Sequence, residues 1–286
     1  MSRDIQGRFE YAGAVRGFES FFRLGVGFVF LGVVMTTTMV VCTALLPWRV
    51  ARIKFTNHIG TVAGSGIMWI TGCPLEVVGH EKVHTDKPVI YAANHTSIYD
   101  AFTSIWLSPV KTVGVAKKEI IYYPFYGLAW LLSGHLRIDR ANTARGKESL
   151  RAGGDFIRKN GLHVYMFPEG TRATNGRLKP LKKGIVHLAL QTGLPIMPVI
   201  TRGAHLAWDK GTFRLRREPI RVEFLDPIET TDWTENRIPE QLEVIRQAML
   251  AGLPPEQRPL EPEINPINTL AQSNNETKPD DNVAKV

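Results

Sequence analysis

Cysteine is scarce in this chain of 286 residues, which contains only Cys42 and Cys73. Neither cysteine has a partner at the spacing of a zinc site or a redox pair. This excludes a disulfide framework and a cysteine-ligated metal site, and it indicates a protein that works in a reducing compartment. The 8 histidines show no ligand spacing either, so we predict that no metal is needed.

Charge is missing from one long stretch near the N-terminus. Residues 24–46, LGVGFVFLGVVMTTTMVVCTALL, hold no charged side chain across 23 residues. As a helix they would extend about 34 Å, enough to cross the hydrocarbon core of a bilayer. The run is too long for a signal peptide and lacks a suitable cleavage site, so we expect it to be retained.

A second apolar piece, residues 59–72, is shorter and rich in glycine. We predict that residues 24–73 form a membrane-associated two-helix hairpin, which enters one leaflet or crosses the bilayer and returns. A hairpin buried in the protein core is the alternative. Basic residues flank the first segment on both sides, so the positive-inside rule does not orient it. Our preferred topology places the chain at the inner (cytoplasmic) membrane, with the body facing the cytoplasm.

Acidic side chains are outnumbered, and the net charge is +8. The last 33 residues hold six acidic and three basic side chains, so the rest of the chain is more basic than the whole. Such a body suits partners that carry phosphate, including anionic lipid headgroups and phosphorylated metabolites. Aromatic signatures of RNA-binding domains are absent, so we predict no nucleic-acid partner, and a non-catalytic binding module for anionic surfaces remains an alternative.

From residue 74 on, short apolar runs alternate with amphipathic stretches of helix length. Five runs predict buried strands: KPVIYAAN, KTVGVAK, HLRID, LHVYMF and LPIMPVI, starting at residues 87, 111, 135, 162 and 194. Residues 213–229 predict an added strand pair, and residues 238–253 a closing helix. This alternation is typical of an α/β domain with a mainly parallel sheet flanked by helices.

The chain therefore divides into four predicted segments: an N-terminal segment at 1–23, the hairpin at 24–73, a single α/β domain at 74–253, and a tail at 254–286. The tail is rich in proline, asparagine and acidic residues, so we expect it to be disordered.

The loop NHTSIYD follows the first predicted strand and places His95 five positions before Asp100. In a parallel sheet such loops meet at one edge, where ligands bind. A histidine can accept a proton near neutral pH, and a nearby carboxylate can fix its tautomer. The pair therefore predicts a general base. The alternative is that Thr96 or Ser97 only caps a helix and His95 is an ordinary loop residue.

Two further loops bring arginines toward the same edge. PEGTR holds Arg172, and HLRIDR holds Arg137 and Arg140. Arginine suits bidentate recognition of phosphate. A base beside arginines, in a chain with an apolar membrane segment, points to the hydroxyl of a phosphorylated lipid. The alternative is that these arginines form a solvated basic face. Lys117 and Lys118, which follow another predicted strand, are likewise either ligand contacts or a solvated pair.

Four motifs occur in a fixed order: NHTSIYD (94–100), GHLRIDR (134–140), FPEGTR (167–172) and LPIMPV (194–199). Together they resemble the four blocks of the glycerolipid acyltransferase superfamily. The chain is most similar to its 1-acylglycerol-3-phosphate (lysophosphatidic acid) acyltransferases of bacterial type, over about residues 75–225. The resemblance implies an acyltransferase domain that moves a fatty acyl group from an acyl thioester to the free hydroxyl of lysophosphatidic acid, giving phosphatidic acid in phospholipid synthesis.

The resemblance also implies roles for single residues. His95 would be the general base and Asp100 would orient it, so that the hydroxyl attacks the thioester without an acyl-enzyme. The residues implied to bind the glycerol phosphate are Arg137, Arg140, Glu169, Gly170, Thr171 and Arg172. Acyl-CoA or acyl-carrier protein would be the donor substrate, with Lys117 and Lys118 as possible donor contacts, and no bound cofactor is expected.

Two positions depart from the family pattern. Arg137 stands where the blocks often have an aromatic or aliphatic residue, which makes Arg140 the firmer assignment, and Ala173 replaces the usual serine. Two other activities stay open at this point. One is acylation of a lysolipid with another head group. The other is a lipid esterase or thioesterase with Ser97 as its nucleophile, although the GxSxG pattern is absent around Ser97.

Overall fold

The computed structural model describes residues 17–83, 87–139, 143–208 and 212–260. The helices in these ranges are α1 Gly17–Ala44, α2 Arg49–Thr71, α3 Tyr99–Leu107, α4 Tyr126–Ser133, α5 Thr143–Asn160, α6 Gly184–Thr192, α7 Ala204–Ala207 and α8 Ile238–Gly252. The strands are β1 Leu75–Val78, β2 Ile90–Ala93, β3 Thr112–Lys117, β4 Leu136–Ile138, β5 His163–Met166, β6 Ile196–Arg202 and β7 Ile220–Phe224.

All seven strands join one sheet in the order β1-β7-β6-β2-β5-β3-β4. The strands from β6 to β4 run parallel, and β7 pairs antiparallel with β6 while β1 runs parallel to β7. The predicted α/β class with a mainly parallel sheet is confirmed. The carboxyl ends of β2, β3, β4, β5 and β6 therefore lie along one edge.

Helices cover both faces of the central strands, which explains why those strands are apolar along most of their length. In β2, Ile90 and Ala92 pack into a core with α5, α6 and α8. Tyr91 and Ala93 point to the other face, where they pack with α1, α2 and α3. All four residues are buried.

Two strand predictions need correction at the far side of the sheet. Strand β1 was not predicted, because its residues alternate over only four positions and pair with β7 alone. The strand pair predicted at 213–229 contains one strand, β7, plus isolated bridges at Leu215 and Ile228. Pro219 and Pro227 flank β7 and have no N–H to donate, which limits the pairing to a short strand.

The two predicted membrane-associated helices form a hairpin that packs on the α/β domain. Glycines allow the close contacts: a Cβ on Gly66 would lie 2.5 Å from the Phe30 ring of α1, and a Cβ on Gly64 would lie 2.4 Å from the Phe102 carbonyl of α3. Helix α2 thus packs closely against both α1 and α3. Among the described residues, α1 is the one helix long and apolar enough to cross a membrane.

The alternative of a fully buried hairpin is wrong for α1. Its large apolar side chains include Phe18, Phe21, Phe28 and Val29, all of which are exposed. Helix α1 also begins before the predicted Leu24, because the sequence remains helical through a charged turn that contains Glu19 and Arg23. These two side chains form an ion pair one turn apart, at 2.8 Å.

The first residues of the expected disordered tail differ from that prediction. Residues Pro255–Gln257 form a turn of 3₁₀ helix, and Gln257 is buried. Its side chain donates to the carbonyls of Gly176 and Thr201 and accepts from the N–H of Gly203, each over 3.3 Å. Residues 261–286 lie outside the described ranges.

Candidate active site

His95 lies directly after β2, at the carboxyl edge of the sheet. The residue before it, Asn94, is buried and exchanges two hydrogen bonds with the backbone of Thr201 in β6. Its side-chain N–H donates to the Thr201 carbonyl over 2.9 Å, and its side-chain oxygen accepts from the Thr201 N–H over 2.7 Å. This side-chain pairing extends the β2–β6 contact by one residue and fixes where the chain leaves the sheet.

The structure brings His95 and Asp100 together. Nδ1 of His95 lies 3.0 Å from Oδ2 of Asp100, and Asp100 sits in the first turn of α3 with an exposed fraction of 1%. The same oxygen accepts from the backbone N–H groups of Thr96, at 2.5 Å, and Ser97, at 2.7 Å. A carboxylate held in this way fixes the imidazole in the tautomer that carries a proton on Nδ1.

The alternative of simple helix capping does not describe this loop. Helix α3 begins at Tyr99, its N-cap residue is Ile98, and no side chain caps it. Ser97 accepts only a long 3.4 Å bond from the Tyr99 N–H. The polar residues before α3 are instead arranged around the Asp100 carboxylate.

Phe167 completes the setting of the imidazole. Its ring stacks on the His95 ring with centroids 4.1 Å apart and an interplanar angle of 18°. One edge of the imidazole therefore faces Asp100 and one ring face is covered. Nε2 of His95 has no hydrogen-bond partner within the described part of the chain, and the side chain is 18% exposed. Phe167 was missed as a site residue, although it opens the FPEGTR motif.

Glu169 lies beside the same loop but is buried, with an exposed fraction of 1%. Oε1 accepts from the backbone N–H of His95 over 2.6 Å, and Oε2 accepts from the backbone N–H of Lys179 over 2.9 Å. Burial raises the pKa of Glu169 to about 7, the nearby Asp100 charge adds to the increase, and the two backbone bonds oppose it. The structure thus places this predicted phosphate contact inside the loop, with both oxygens occupied.

The loop from Gly170 to Lys179 is fastened at several points. Gly170 adopts a φ of +76°, a left-handed conformation that favours glycine. The N–H of Ala173 donates to the His95 carbonyl over 2.7 Å, and Nζ of Lys179 donates to the Arg172 carbonyl over 2.9 Å. The N–H of Leu178 donates to the Gln257 carbonyl over 2.8 Å. The segment after α8 therefore supports this loop.

Three cations on or after this loop are available to a ligand. The side chains of Arg172, Lys182 and Lys183 form no ion pair or hydrogen bond with residues that the structure describes. Arg172 is half-buried, while Lys182 and Lys183 are exposed. Thr171, also predicted to bind phosphate, is exposed next to Arg172.

The structure does not bring Arg137 to the base. It occupies the middle of the edge strand β4, three strand positions from β2, which corresponds to about 14 Å. The charge of Arg137 instead acts on Arg49 at the start of α2, whose pKa is lowered by burial first, then by Arg52 and by Arg137. Arg140 lies outside the described residues.

The two predicted donor lysines lie at the end of β3, between β5 and β4: Lys117 is the last residue of the strand, and Lys118 begins the 3₁₀ turn that follows it. Both are exposed. Nζ of Lys118 lies 2.8 Å from a carboxylate oxygen of Asp139, so this lysine is engaged at the end of β4. Lys117 faces solvent without a salt bridge to the described residues.

Comparison with known proteins identifies the class of protein to which this domain belongs. A sequence model of the acyltransferase family matches residues 74–202, which contain His95, Asp100 and the FPEGTR loop. The α/β domain is therefore an acyltransferase domain.

Individual proteins of similar sequence identify the family within this class. The chain is 46% identical to the 1-acyl-sn-glycerol-3-phosphate acyltransferase of Limnanthes alba over 236 residues, which cover 82% of this chain and 83% of the relative. It is 28% identical to the enzyme of the same name from Haemophilus influenzae, over 72% of this chain and 85% of the relative. The chain belongs to the 1-acyl-sn-glycerol-3-phosphate acyltransferase family.

A solved structure shares the fold. The 1-acyl-sn-glycerophosphate (LPA) acyltransferase PlsC from Thermotoga maritima superposes with a TM-score of 0.61 at 21% identity, covering 82% of this chain and 92% of that chain.

Proposed function

We propose that this enzyme transfers a fatty acyl group from an acyl thioester to the free hydroxyl of 1-acylglycerol-3-phosphate, giving phosphatidic acid. The observation that carries the proposal is the state of His95: Nδ1 is held by Asp100 and Nε2 is left without a partner among the described residues. Such an imidazole can accept a hydroxyl proton. The names of the relatives supply the acceptor.

In the proposed reaction, Nε2 of His95 takes the proton of the acceptor hydroxyl while the hydroxyl oxygen attacks the carbonyl carbon of the thioester. Asp100 stabilises the imidazolium that forms, as a carboxylate does beside a catalytic histidine. The tetrahedral intermediate then expels the thiolate, which takes the proton back from Nε2. The base is regenerated and no acyl-enzyme is formed. A mechanism without a serine nucleophile is favoured, because the Ser97 side chain is buried. The sequence around Ser97 also lacks the GxSxG pattern of a nucleophile elbow.

The acceptor phosphate is proposed to bind beside Arg172, with Lys182 and Lys183 contributing positive charge. Loop 170–179 is joined to the His95 loop through Glu169 and Ala173, so a phosphate held there has a fixed relation to the base. Arginine and lysine bind phosphate by charge-assisted hydrogen bonds. Gly170 and Thr171 lie in the same loop.

Membrane attachment is proposed to occur through one leaflet. Helix α1 is fastened to the body near its start, where Arg217 contacts Glu19 at 2.6 Å and the N–H of Leu215 donates to Ser20 over 3.3 Å. It also packs along α2, which packs on α3. A helix held in this way lies on the domain and presents its other face to lipid, which supports attachment through one leaflet. The proposed location remains the inner membrane, with the site facing the cytoplasm.

The donor is proposed to be acyl-CoA or acyl-carrier protein. Both carry a phosphopantetheine arm, and Lys117 provides an exposed cation at the carboxyl edge of the sheet. A basic surface attracts either donor.

An acceptor panel tests the proposal. Wild type in detergent micelles is given a labelled acyl thioester and either lysophosphatidic acid, an uncharged monoacylglycerol, or a lysolipid with another head group. We expect product from lysophosphatidic acid above all. Acylation of a different lysolipid with lysophosphatidic acid ignored would overturn the acceptor assignment. An acyl-serine trapped at Ser97 in wild type, together with loss of activity in Ser97→Ala, would overturn the mechanism without an acyl-enzyme.

A further inference from the structure

An exposed apolar surface follows β3 and does not take part in the site described above. It comprises Tyr122, Tyr123, Phe125, Tyr126, Leu128 and Leu131, and we call it the aromatic patch. All six side chains are exposed, with Tyr122 at 79% and Phe125 at 74%. Single exposed apolar residues are common on soluble proteins, but a contiguous group marks a contact surface.

The patch is held in place by an unusual turn. Phe125 has φ 59° and ψ −53°, and the N–H of Tyr126 donates to the Pro124 carbonyl over 2.6 Å. This is a γ-turn of the rare, strained kind. The turn continues into α4 through a bond from the Gly127 N–H to the Tyr123 carbonyl, at 2.8 Å. The large aromatic side chain is thus directed outward by a defined backbone and not by a loose loop.

Close packing keeps this turn compact. A Cβ on Gly127 would lie 2.3 Å from the Ile121 carbonyl, so the preceding 3₁₀ turn and α4 are in direct backbone contact. Strained conformations persist only where the surrounding structure determines them, and they concentrate at functional surfaces.

The position of the patch indicates what it contacts. It begins a few residues after Lys117, at the sheet edge that carries His95, and α4 packs against both α1 and α2. Nε of Arg49 donates to the Gly134 carbonyl over 2.9 Å, and Arg52 donates to the Leu132 carbonyl, which ties the start of α2 to the end of α4. Helix α4, which carries part of the patch, therefore packs directly beside both helices of the hairpin.

Its composition suits the boundary between lipid and water. Tyrosine has an apolar body and a polar hydroxyl, and aromatic residues are enriched at the headgroup level of membranes. Exposed Lys117 beside the patch favours anionic headgroups. Two acidic residues lie nearby. Glu119 is in the 3₁₀ turn Lys118–Tyr122 that follows β3, and Asp139 forms an ion pair with Lys118.

We propose that the aromatic patch is a second membrane contact, which enters the headgroup region of the leaflet that α1 occupies. This inference rests on the proposed function, since it explains how an acceptor that resides in the membrane reaches His95. Two contacts, α1 and the patch, would hold the carboxyl edge of the sheet against the lipid surface. The acceptor would then enter from the leaflet without passing through water.

The test measures depth in a bilayer. The full chain with Phe125→Cys is labelled with an environment-sensitive fluorophore and placed in vesicles of phosphatidylcholine and phosphatidylglycerol, some with nitroxide-labelled headgroups. Tyr122→Cys provides a second site outside the strained residue, in case Phe125→Cys does not fold. Val244→Cys, also exposed but on α8 at the opposite face of the sheet, is the control. Labelled wild type corrects for the buried Cys42 and Cys73.

We expect a blue-shifted emission and nitroxide quenching at positions 122 and 125, and neither at position 244. Emission and quenching equal to those at position 244 would overturn the proposal. A blue shift without quenching would also overturn it, because the patch would then be covered by a second copy of the chain.

Activity provides an independent readout. The double variant Tyr122→Ser with Phe125→Ser should lose about tenfold of its activity on an acceptor embedded in vesicles, because two large apolar groups no longer partition into lipid. Activity on the same acceptor in detergent micelles should be retained, as in Val244→Ser. Equal losses in both assays would contradict the membrane role. If wild type acylates no lysophosphatidic acid in either assay, the proposed function fails while the depth measurement still decides the membrane contact.

Discussion

The backbone N–H of His95 donates to the buried carboxylate of Glu169 over 2.6 Å, and the second oxygen of that carboxylate accepts from the N–H of Lys179. One side chain thus joins the loop of the base to the loop that carries Arg172. The family resemblance assigned Glu169 to phosphate binding. Its position in the structure supports a different use, in which it sets the distance between the two loops.

Glu169→Gln tests this relationship. An amide can accept one of the two backbone bonds, but its NH₂ group then faces the other N–H donor. We expect a loss of about 1–3 kcal/mol in the free energy of unfolding. The measurement is denaturant unfolding in detergent, with the exposed Glu240→Gln as control.

The pH dependence of the same experiment is specific to the carboxyl. Burial raises the pKa of Glu169 from 4.5 to about 7, so the folded protein binds this proton more tightly than the unfolded chain. Its contribution to stability is therefore largest below pH 4.5 and is lost as the pH rises toward about 7. Wild type should show this decline and Glu169→Gln should lack it. Parallel pH profiles for the two proteins would contradict the assignment.

Asp100→Asn should preserve the fold and remove the charge next to His95. The amide oxygen can still accept from the N–H groups of Thr96 and Ser97, but it no longer stabilises an imidazolium. We expect kcat to fall by about 10²-fold or more, the scale of general base catalysis. Steady-state kinetics and circular dichroism check this, with Asp155→Asn on the exposed face of α5 as the matched control. An unchanged kcat would show that the Asp100 charge does not assist the reaction.

Arg172→Ala should weaken binding of the phosphorylated acceptor. Loss of one charge-assisted contact is worth about 1.5–3 kcal/mol, which corresponds to an increase in KM of about 10- to 150-fold. The KM for the acyl thioester should change little. Arg246→Ala, on α8, removes an arginine that pairs with Glu243 far from the loop, and should have no effect. If both variants have the wild-type acceptor KM, the phosphate does not bind at Arg172.

Gly64→Ala should separate α2 from α3. The added Cβ would lie 2.4 Å from the Phe102 carbonyl and 2.6 Å from Cβ of Trp106, and neither backbone nor Cβ can move away easily. We expect a lower unfolding midpoint and easier proteolysis of the hairpin. Gly32→Ala in α1 has open space around the new Cβ and should be neutral or stabilising. Equal stability of the two variants would argue against close docking of the hairpin, and with it against attachment through one leaflet.

Sequence patterns predicted the parts of the fold that depend on local signals. The central strands are buried on both faces, so they appear as uninterrupted apolar runs, and the class and order of elements followed from them. His95 and Asp100 also lie only five positions apart, so the short loop from β2 into α3 is enough to bring them close. Strand β1 and the Gln257 segment depend on partners distant in the chain, and no local pattern indicates them.

The same distinction explains the site residues that the sequence could not place. A motif such as FPEGTR gives residue types but not which side chains point inward, so Glu169 could not be distinguished from Arg172, and the stacking of Phe167 on His95 was not visible. Arg137 follows the pattern of a loop arginine, yet it lies within edge strand β4. Its distance from the base depends on the strand order, which only the folded sheet defines.

The most direct test of the central claim compares wild type with His95→Ala in one assay, acyl transfer from a labelled acyl thioester to lysophosphatidic acid in detergent micelles. Ser97→Ala is the matched control, because Ser97 lies in the same loop. We predict phosphatidic acid from wild type and from Ser97→Ala, and almost none from a folded His95→Ala. Equal product from wild type and His95→Ala would show that His95 is not the base.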